Sequence, residues 1–484
     1  MSIAATFANA LSGLTASARA AQTLSSNIAN ATTPGFARRE LELTSASLGG
    51  TGTGVAVVGV TRVVNRAVLG ELRLADAAAA GTDARATGLK RIEEMFGLPD
   101  EAGSLADRLT ALEAALAAAA ARPDAPARLD AAAAAAAGVA AKLNGIADAL
   151  QALREQADAG IAGAVAGLNA DLAAIDRLNA DILSFRALGR DVTALFDQRQ
   201  ALVDRVATLV PLREIQRPND QIALVSTGGA ILLDTSPAVL GFTATPTITA
   251  DMTIGSGALS GLTLGGRPVA AGPGGLLAGG RLEALFALRD VIAPAAQAEA
   301  DAVARNLIER VATPDVDPTL APGDPGLFTD GGAAFLPAAE TGLAGRIALN
   351  AAADPARGGA SWRLRDGLAA ALPGPPGEAR LLDALAGALA GPADVASGAA
   401  AGRRIDAGAL AAAALSAVTG ARQTAEDAKT EAAARAEGLR RLHLQDGVDS
   451  DAELQTLMLV EQAWSANARV LQVMDALVQR LIDL

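Results

Sequence analysis

Few residues in this chain are of a type that does chemistry. There is one histidine, His443, with no cysteine and no tyrosine. Groups that transfer protons near neutral pH, thiolate nucleophiles and thiolate metal ligands are therefore all but missing. His443 sits among Arg440, Arg441 and Gln445 and reads as a solvated helix residue. Asp446, Asp449, Asp451 and Glu453 gather four carboxylates, but they miss the alternate-position spacing of a calcium loop. Acidic charge at the start of a helix accounts for them. Gly50, Gly52 and Gly54 alternate with threonine as a phosphate loop might, yet they precede a β-branched run and no Gly-Lys-Ser or Gly-Lys-Thr follows. A turn is expected there. Asn30-Ala31-Thr32 fits the glycosylation pattern, which is too short to carry weight. These residues predict no catalytic, cofactor or metal site.

The remaining polar constellation lies in TLSSNIANATTPGFARRE, where Asn27, Asn30, Pro34 and Gly35 close an alanine-rich helix. Pro34 biases Thr33 away from helical angles, and Gly35 can take the positive φ of a type II turn. The short amides suit unpaired carbonyls or a neighbouring backbone. The helix they end carries Ile3, Phe7, Leu11, Leu14, Ala18, Ala21, Leu24 and Ile28 at steps of three and four, and is expected to stop by about Ala31. At the other end, Gly447 stops one helix and Ser450-Asp451-Ala452-Glu453 reads as a capping box for the next. Along it Leu454, Leu457, Val460, Trp464, Asn467, Leu471, Met474, Val478 and Leu481 form a coiled-coil seam, with Asn467 fixing register. Two such stripes can bury each other only in part, so the rest is expected to meet neighbouring subunits.

Between these ends the texture alternates. GVAVVGVTRVV predicts a strand over 54–64, and 66–210 is helical in period, with breaks at Gly97-Leu98-Pro99 and Arg122-Pro123. Residues 211–280 turn to Ile, Val, Thr, Pro and Gly and predict a small outer β domain. Helix returns at 281–311, a Pro/Gly-rich insertion occupies 314–376, and 378–444 is helical. The expected fold is mainly α with inserted β-rich domains. Its parts are a terminal coiled-coil domain (1–60 with 446–484), a helical-bundle domain (61–210 with 281–313 and 377–445), the β domain (211–280) and the insertion (314–376).

With 40 basic and 53 acidic residues, the chain carries a net charge of −13, which argues against nucleic acid or an anionic membrane as main partner. Its N-terminus lacks the basic and compact apolar regions of a cleaved signal peptide, and its alanine run reaches Lys142 too soon to span a bilayer. A soluble chain is expected.

Ser26-Asn27-Ile28-Ala29-Asn30 followed by Thr33-Pro34-Gly35-Phe36 resembles the N-terminal motif of the bacterial flagellar axial proteins. The resemblance continues through GTGVAVVGVTRVVNRAVLGELRLA, FDQRQALVDRVATLV, GRLEALFALRDVIAPAAQAEAD and GVDSDAELQTLMLVEQAWSANARVLQVMDALVQRLI, and points within that family to the hook-associated members. Phe36 and Trp464 stand where tyrosines are usual. The resemblance implies a structural, non-enzymatic protein at the extracellular junction of hook and filament, exported by the flagellar type III apparatus with a cytoplasmic chaperone and no cleaved signal. It implies self-assembly into a ring or helical layer, contact with the hook protein and with a second junction protein, and no nucleic acid, membrane insertion or cofactor. Asn27, Asn30, Pro34, Gly35, Phe36 and the two stripes, Ile3 to Ile28 and Leu457 to Leu481, are the expected assembly residues. A hook or distal rod subunit, or a secreted adhesin, are the alternatives.

Overall fold

The computed structural model describes residues 3–33, 35–48 and 51–483, with side chains for all of these except Ile3, Ala4, Leu48, Thr51 and Leu481. The expectations for Pro34 and for the side chains of Ile3 and Leu481 lie outside the described residues. In chain order the elements begin with α1 (Ile3–Ala29), β1 (Arg39–Leu48), β2 (Thr51–Arg62), α2 (Arg66–Phe96), α3 (Leu105–Ala121), α4 (Pro126–Ala187) and α5 (Thr193–Leu209). Six short strands follow: β3 (Leu212–Gln216), β4 (Ile222–Ser226), β5 (Ile231–Leu233), β6 (Leu240–Gly241), β7 (Leu262–Leu264) and β8 (Arg267–Val269). Then come α6 (Arg281–Ala287), α7 (Ala293–Val311), β9 (Phe328–Asp330), β10 (Ile347–Leu349), α8 (Arg363–Asp366), α9 (Arg380–Ala390), β11 (Ala393–Asp394), β12 (Arg404–Ile405), α10 (Ala407–Gln445) and α11 (Ser450–Ile482). The fold is mainly helical with small antiparallel sheets, as expected from the periodicity.

The chain forms two compact units. One comprises Met1–Ala79, Gly167–Val239 and Ala432–Leu484; the other comprises Ala80–Ala166 and Leu240–Glu431. The expected single β domain over 211–280 is instead two three-stranded sheets, β3-β4-β5 in the first unit and β6-β7-β8 in the second. The reason is polar anchoring to different stretches of α4. In the first unit Asn179 Nδ2 of α4 donates to the Ile222 carbonyl at 3.0 Å, while Arg199 Nη1 of α5 donates to Asn179 Oδ1 and the Asp220 carbonyl. In the second, Asp158 and Glu155 of α4 accept the amides of Thr245 and Ile248, and the buried Arg154 donates to the carbonyls of Thr249 and Met252. Arg289 closes this network on Asp158 at 2.5 Å, both side chains being fully buried.

The second unit has one core. Leu105, Leu109, Leu112 and Leu116 give α3 a stripe at helical spacing, opened by Ser104 accepting from the Asp107 amide, and α3 packs against α9. The insertion at 314–376 is no loose excursion: Leu327, Phe328, Leu343, Ile347 and Leu364 are buried in the same core. By length and composition α4 contains a window apolar enough to cross a membrane. The burial of Ala132, Val139, Leu143, Ile146 and Leu150 in this core accounts for that composition.

In the first unit α1 runs antiparallel to α11, because Asn27 lies beside Glu453 and Gly13 beside Asn467. The β1–β2 hairpin packs on α1. Its first strand, RELELTSASL, was not expected, although Leu41, Leu43 and the alternating charges carry the period of two. The register shifts at Glu42/Leu43 and Ala46/Ser47, where Val58 and Thr53 are extra residues on β2, so β2 is bulged twice.

Candidate assembly interface

Asn27 organises the meeting of α1, the hairpin and α11. Its side chain is fully buried, which demands that every polar atom be paired. Nδ2 donates to the Arg39 carbonyl at 2.9 Å and to Glu453 Oε2 at 3.0 Å, while Oδ1 accepts the Arg39 amide at 3.0 Å. A single amide thus completes one end of the hairpin and ties α11 to α1. The carboxylate of Glu453, only 5% exposed, also meets Arg38 at 3.7 Å. This overturns the expected capping box. Asp449, not Ser450, caps α11, accepting the amides of Asp451 and Ala452, and Glu453 reaches across to Asn27 rather than back along its own helix. Asn30 does what its position suggested, donating to the Ser26 carbonyl of the last turn at 2.9 Å.

Beyond the turn, Gly35 has φ +80, and a Cβ there would stand 3.1 Å from the Asp197 carbonyl and from Ala201 Cβ. Glycine is needed for the angle and for the close seat on α5. Phe36 lies half-buried with the Arg39 guanidinium 4.8 Å from its ring centre. Asp197 then gathers three groups: Arg39 at 2.7 Å, Arg62 at 2.8 Å and the amide of Ala37 at 3.4 Å. The chain leaving α1 is held to α5 by charge-assisted bonds on both strands of the hairpin.

The helix pair is built differently from the expected stripes. The positions of α1 that become buried are small, Ala10 and Ala16, together with Asn27, whereas Phe7 and Leu11 stay 47% and 51% exposed. Leu14, Leu24 and Ile28 are half-buried. Small residues win because the neighbours come close: a Cβ on Gly13 would lie within 2.9 Å of the Asn467 side chain, and one on Gly54 would overlap Ser12. Ser12 Oγ accepts the Val55 amide at 3.1 Å and donates to the Asn9 carbonyl. On α11, Leu457, Val460, Asn467 and Leu471 are half-buried and Met474 is buried, but Trp464 and Val478 are exposed. Asn467 spends its amide on the Ala463 carbonyl of its own helix, within contact of Gly13. A second apolar row, Met458, Leu459, Val473 and Leu477, is exposed as well.

Sequence reasoning passed over Gly13, Ser12 and Asp197, and read Gly54 only as a turn and strand residue with no contact to α1. Ser12, Gly13 and Gly54 carry a signal, two consecutive small residues in a helix and a glycine in a strand, that marks close backbone approach. Asp197 carries none, since its partners lie more than 130 residues away.

Residues 89–315 match the family model described as flagellar hook-associated protein FlgK helical domain. Residues 7–36, which hold Asn27, Asn30 and Gly35, match the flagella basal body rod protein model. Flagellar hook-associated protein 1 of Bacillus subtilis (strain 168) is 24% identical over 233 residues, 46% of each chain, so this chain spans about half the length of the curated relative it matches. The structure of the flagellar hook junction protein FlgK from Burkholderia pseudomallei is similar at a TM-score of 0.44 and 20% identity, over 54% of this chain and 47% of that one.

Proposed function

We propose that this chain is a structural subunit of the bacterial flagellum that joins hook to filament and is needed for filament assembly. The observation that carries the reading is the match of residues 89–315 to the hook-associated helical domain. The exposed apolar rows of α1 and α11 support it, because a helix pair with Phe7, Leu11, Met458, Leu459 and Val473 in water gains by meeting further copies. Each such side chain contributes roughly 1.5 to 3 kcal/mol when fully buried. Asn27, Asn30, Gly35 and Phe36 then set the exit of the chain from the helix pair. Pro34 and the rows from Ile3 to Ile28 and from Leu457 to Leu481 are proposed as assembly residues with them. The partners in this reading are further copies in a ring or helical layer, the hook protein and a second junction protein. Export follows the flagellar type III route with a chaperone and no cleaved signal, and the work is assembly, not turnover.

A hook or distal rod subunit shares the 7–36 match but has no call on the helical domain. Electron microscopy of cells lacking the chain, with an assay for flagellin in the medium, separates the readings. Bare hooks and shed flagellin are expected. Normal filaments would refute the junction role, and missing hooks would favour the hook or rod subunit.

A further inference from the structure

We infer that the arginine-lined groove of the first unit binds a small, multiply charged oxyanion of the phosphate type, and that Arg190, Thr193 and Arg199 contribute to holding it. The groove encloses about 1500 Å³, and seven arginines line it against three carboxylates. Arg62 pairs with Asp197, Arg73 with Asp204 and Glu214, and Arg186 with Asp220. Among the described residues Arg19, Arg66, Arg190 and Arg199 pair with no carboxylate, and Asp191 is the lining carboxylate left without an arginine. Four unpaired cations against one unpaired carboxylate leave a positive surplus in a chain whose net charge is −13. A ligand carrying more than one negative charge answers that surplus.

Arg199 feels the deficit most. Only 7% of it is exposed, yet its Nη1 donates to two neutral acceptors, Asn179 Oδ1 and the Asp220 carbonyl. A buried charge without a counter-charge is costly, and an anion at its remaining N–H groups would remove that cost. Burial lowers this guanidinium to about 10; Glu214 opposes the shift, and Arg62, Arg66 and Arg73 add to it. The guanidinium rests 5.2 Å from the centre of the Phe196 ring, which also lines the groove, so its fork is oriented before a ligand arrives. Thr193, 4% exposed, lines the same groove, and its hydroxyl has no hydrogen-bond partner. Buried hydroxyls are ordinarily paired, so a partner is missing there too. α5 begins here without a side-chain cap at Val192, and the amides of a helix's first turn favour an anion. Asp191 opposes them, accepting the Thr193 amide at 2.9 Å. The chain's own acidic turn does not supply the missing charge. The pairs Arg435–Glu71 and Arg440–Asp76 bring the end of α10 alongside α2, which starts at Arg66, but none of Asp446, Asp449 and Asp451 pairs with a groove arginine among the described residues. Arg66 is the groove arginine nearest in sequence to those α2 pairs, so the assignment rests on Arg190, Thr193 and Arg199 instead.

Titration calorimetry of the full-length chain with inorganic pyrophosphate, at constant ionic strength and in a buffer free of phosphate, tests the assignment. Saturable binding is expected. Thr193→Val removes a hydroxyl that bonds nothing in the free protein, so circular dichroism should be unchanged while affinity falls about tenfold. Arg190 is exposed, and Arg190→Gln is expected to weaken binding about threefold. Arg213→Gln, an exposed arginine of the same unit outside the groove, should leave it as it was. Arg199 is spared because it also braces Asn179 and Asp220, and its replacement would mix folding with binding. No saturable binding by the parent chain, or the same affinity in all three variants, overturns the anion site. Neither result bears on the junction role, which the experiment on cells lacking the chain decides.

Discussion

Asn27 shows how much one side chain can be asked to do when it is buried. Replacing it with alanine would orphan both backbone groups of Arg39 and leave the Glu453 carboxylate with only Arg38 at 3.7 Å. Asn27→Ala is expected to cost the first unit about 2 to 4 kcal/mol. Trp464 reports this unit by fluorescence in denaturant once Trp362, in the other unit, is changed to Phe. Gly13 offers a sharper test, since alanine normally stabilises a helix interior by about 1 kcal/mol over glycine. Here a Cβ would press on Asn467, which could yield only by giving up its bond to Ala463. Gly13→Ala should therefore be neutral or destabilising alone and stabilising by about 1 kcal/mol in an Asn467→Ala background. Equal effects in the two backgrounds would remove Asn467 as the partner. In the second unit, Asp158→Ala leaves Arg289 buried with Asp290 as its remaining carboxylate and the Thr245 amide unpaired. A loss of about 3 kcal/mol is expected, read from Trp362 fluorescence in a Trp464→Phe background.

Helices and strands here take their stability from what they lean on. The hairpin is bulged at two points and two-stranded, a form that is marginal by itself, and it depends on α1 through Ser12 and on α5 through Asp197. The α11 helix, 33 residues long, has good propensity and a sound cap at Asp449, yet much of its apolar surface faces water. Leu471→Asp places a charge on the half-buried side of that helix and takes a carboxylate out of water. The variant is expected to keep the helical second unit, by circular dichroism and Trp362 fluorescence, while failing to restore filaments in cells lacking the chain. Filaments of normal length from this variant would remove Leu471 from the interface.

For the whole chain, burial is uneven. The second unit has a continuous core from Ile92 to Val418, whereas the terminal helices of the first keep Phe7, Leu11, Met458, Leu459 and Ile482 exposed. Opening should therefore begin at the ends, where little apolar area is lost from contact. Limited proteolysis of the isolated chain is expected to trim both termini before it cuts within α3, α4 or α7. Termini as resistant as those helices would show that α1 and α11 are stable without further copies.

Local physics decided much of this protein at the level of sequence. The helical period over 66–210, the stop by about Ala31, and the helix opening at Ser450 depend only on neighbours a few residues away, and they were legible. The mainly helical class was legible for the same reason. The long-range partners were not. Glu453 looked like the second half of a capping box, and only the arrival of Asn27, 426 residues distant in sequence, redirected it. The stripe of Phe7 and Leu11 looked like the buried face of α1, yet close approach by the hairpin and α11 selected Ala10, Gly13 and Ala16 instead. A single β domain divided in two because Asn179 and Asp158, on one continuous helix, each claimed a different sheet. Period and capping are properties of a segment, whereas the pairing of buried polar groups belongs to whichever segments folding brings together.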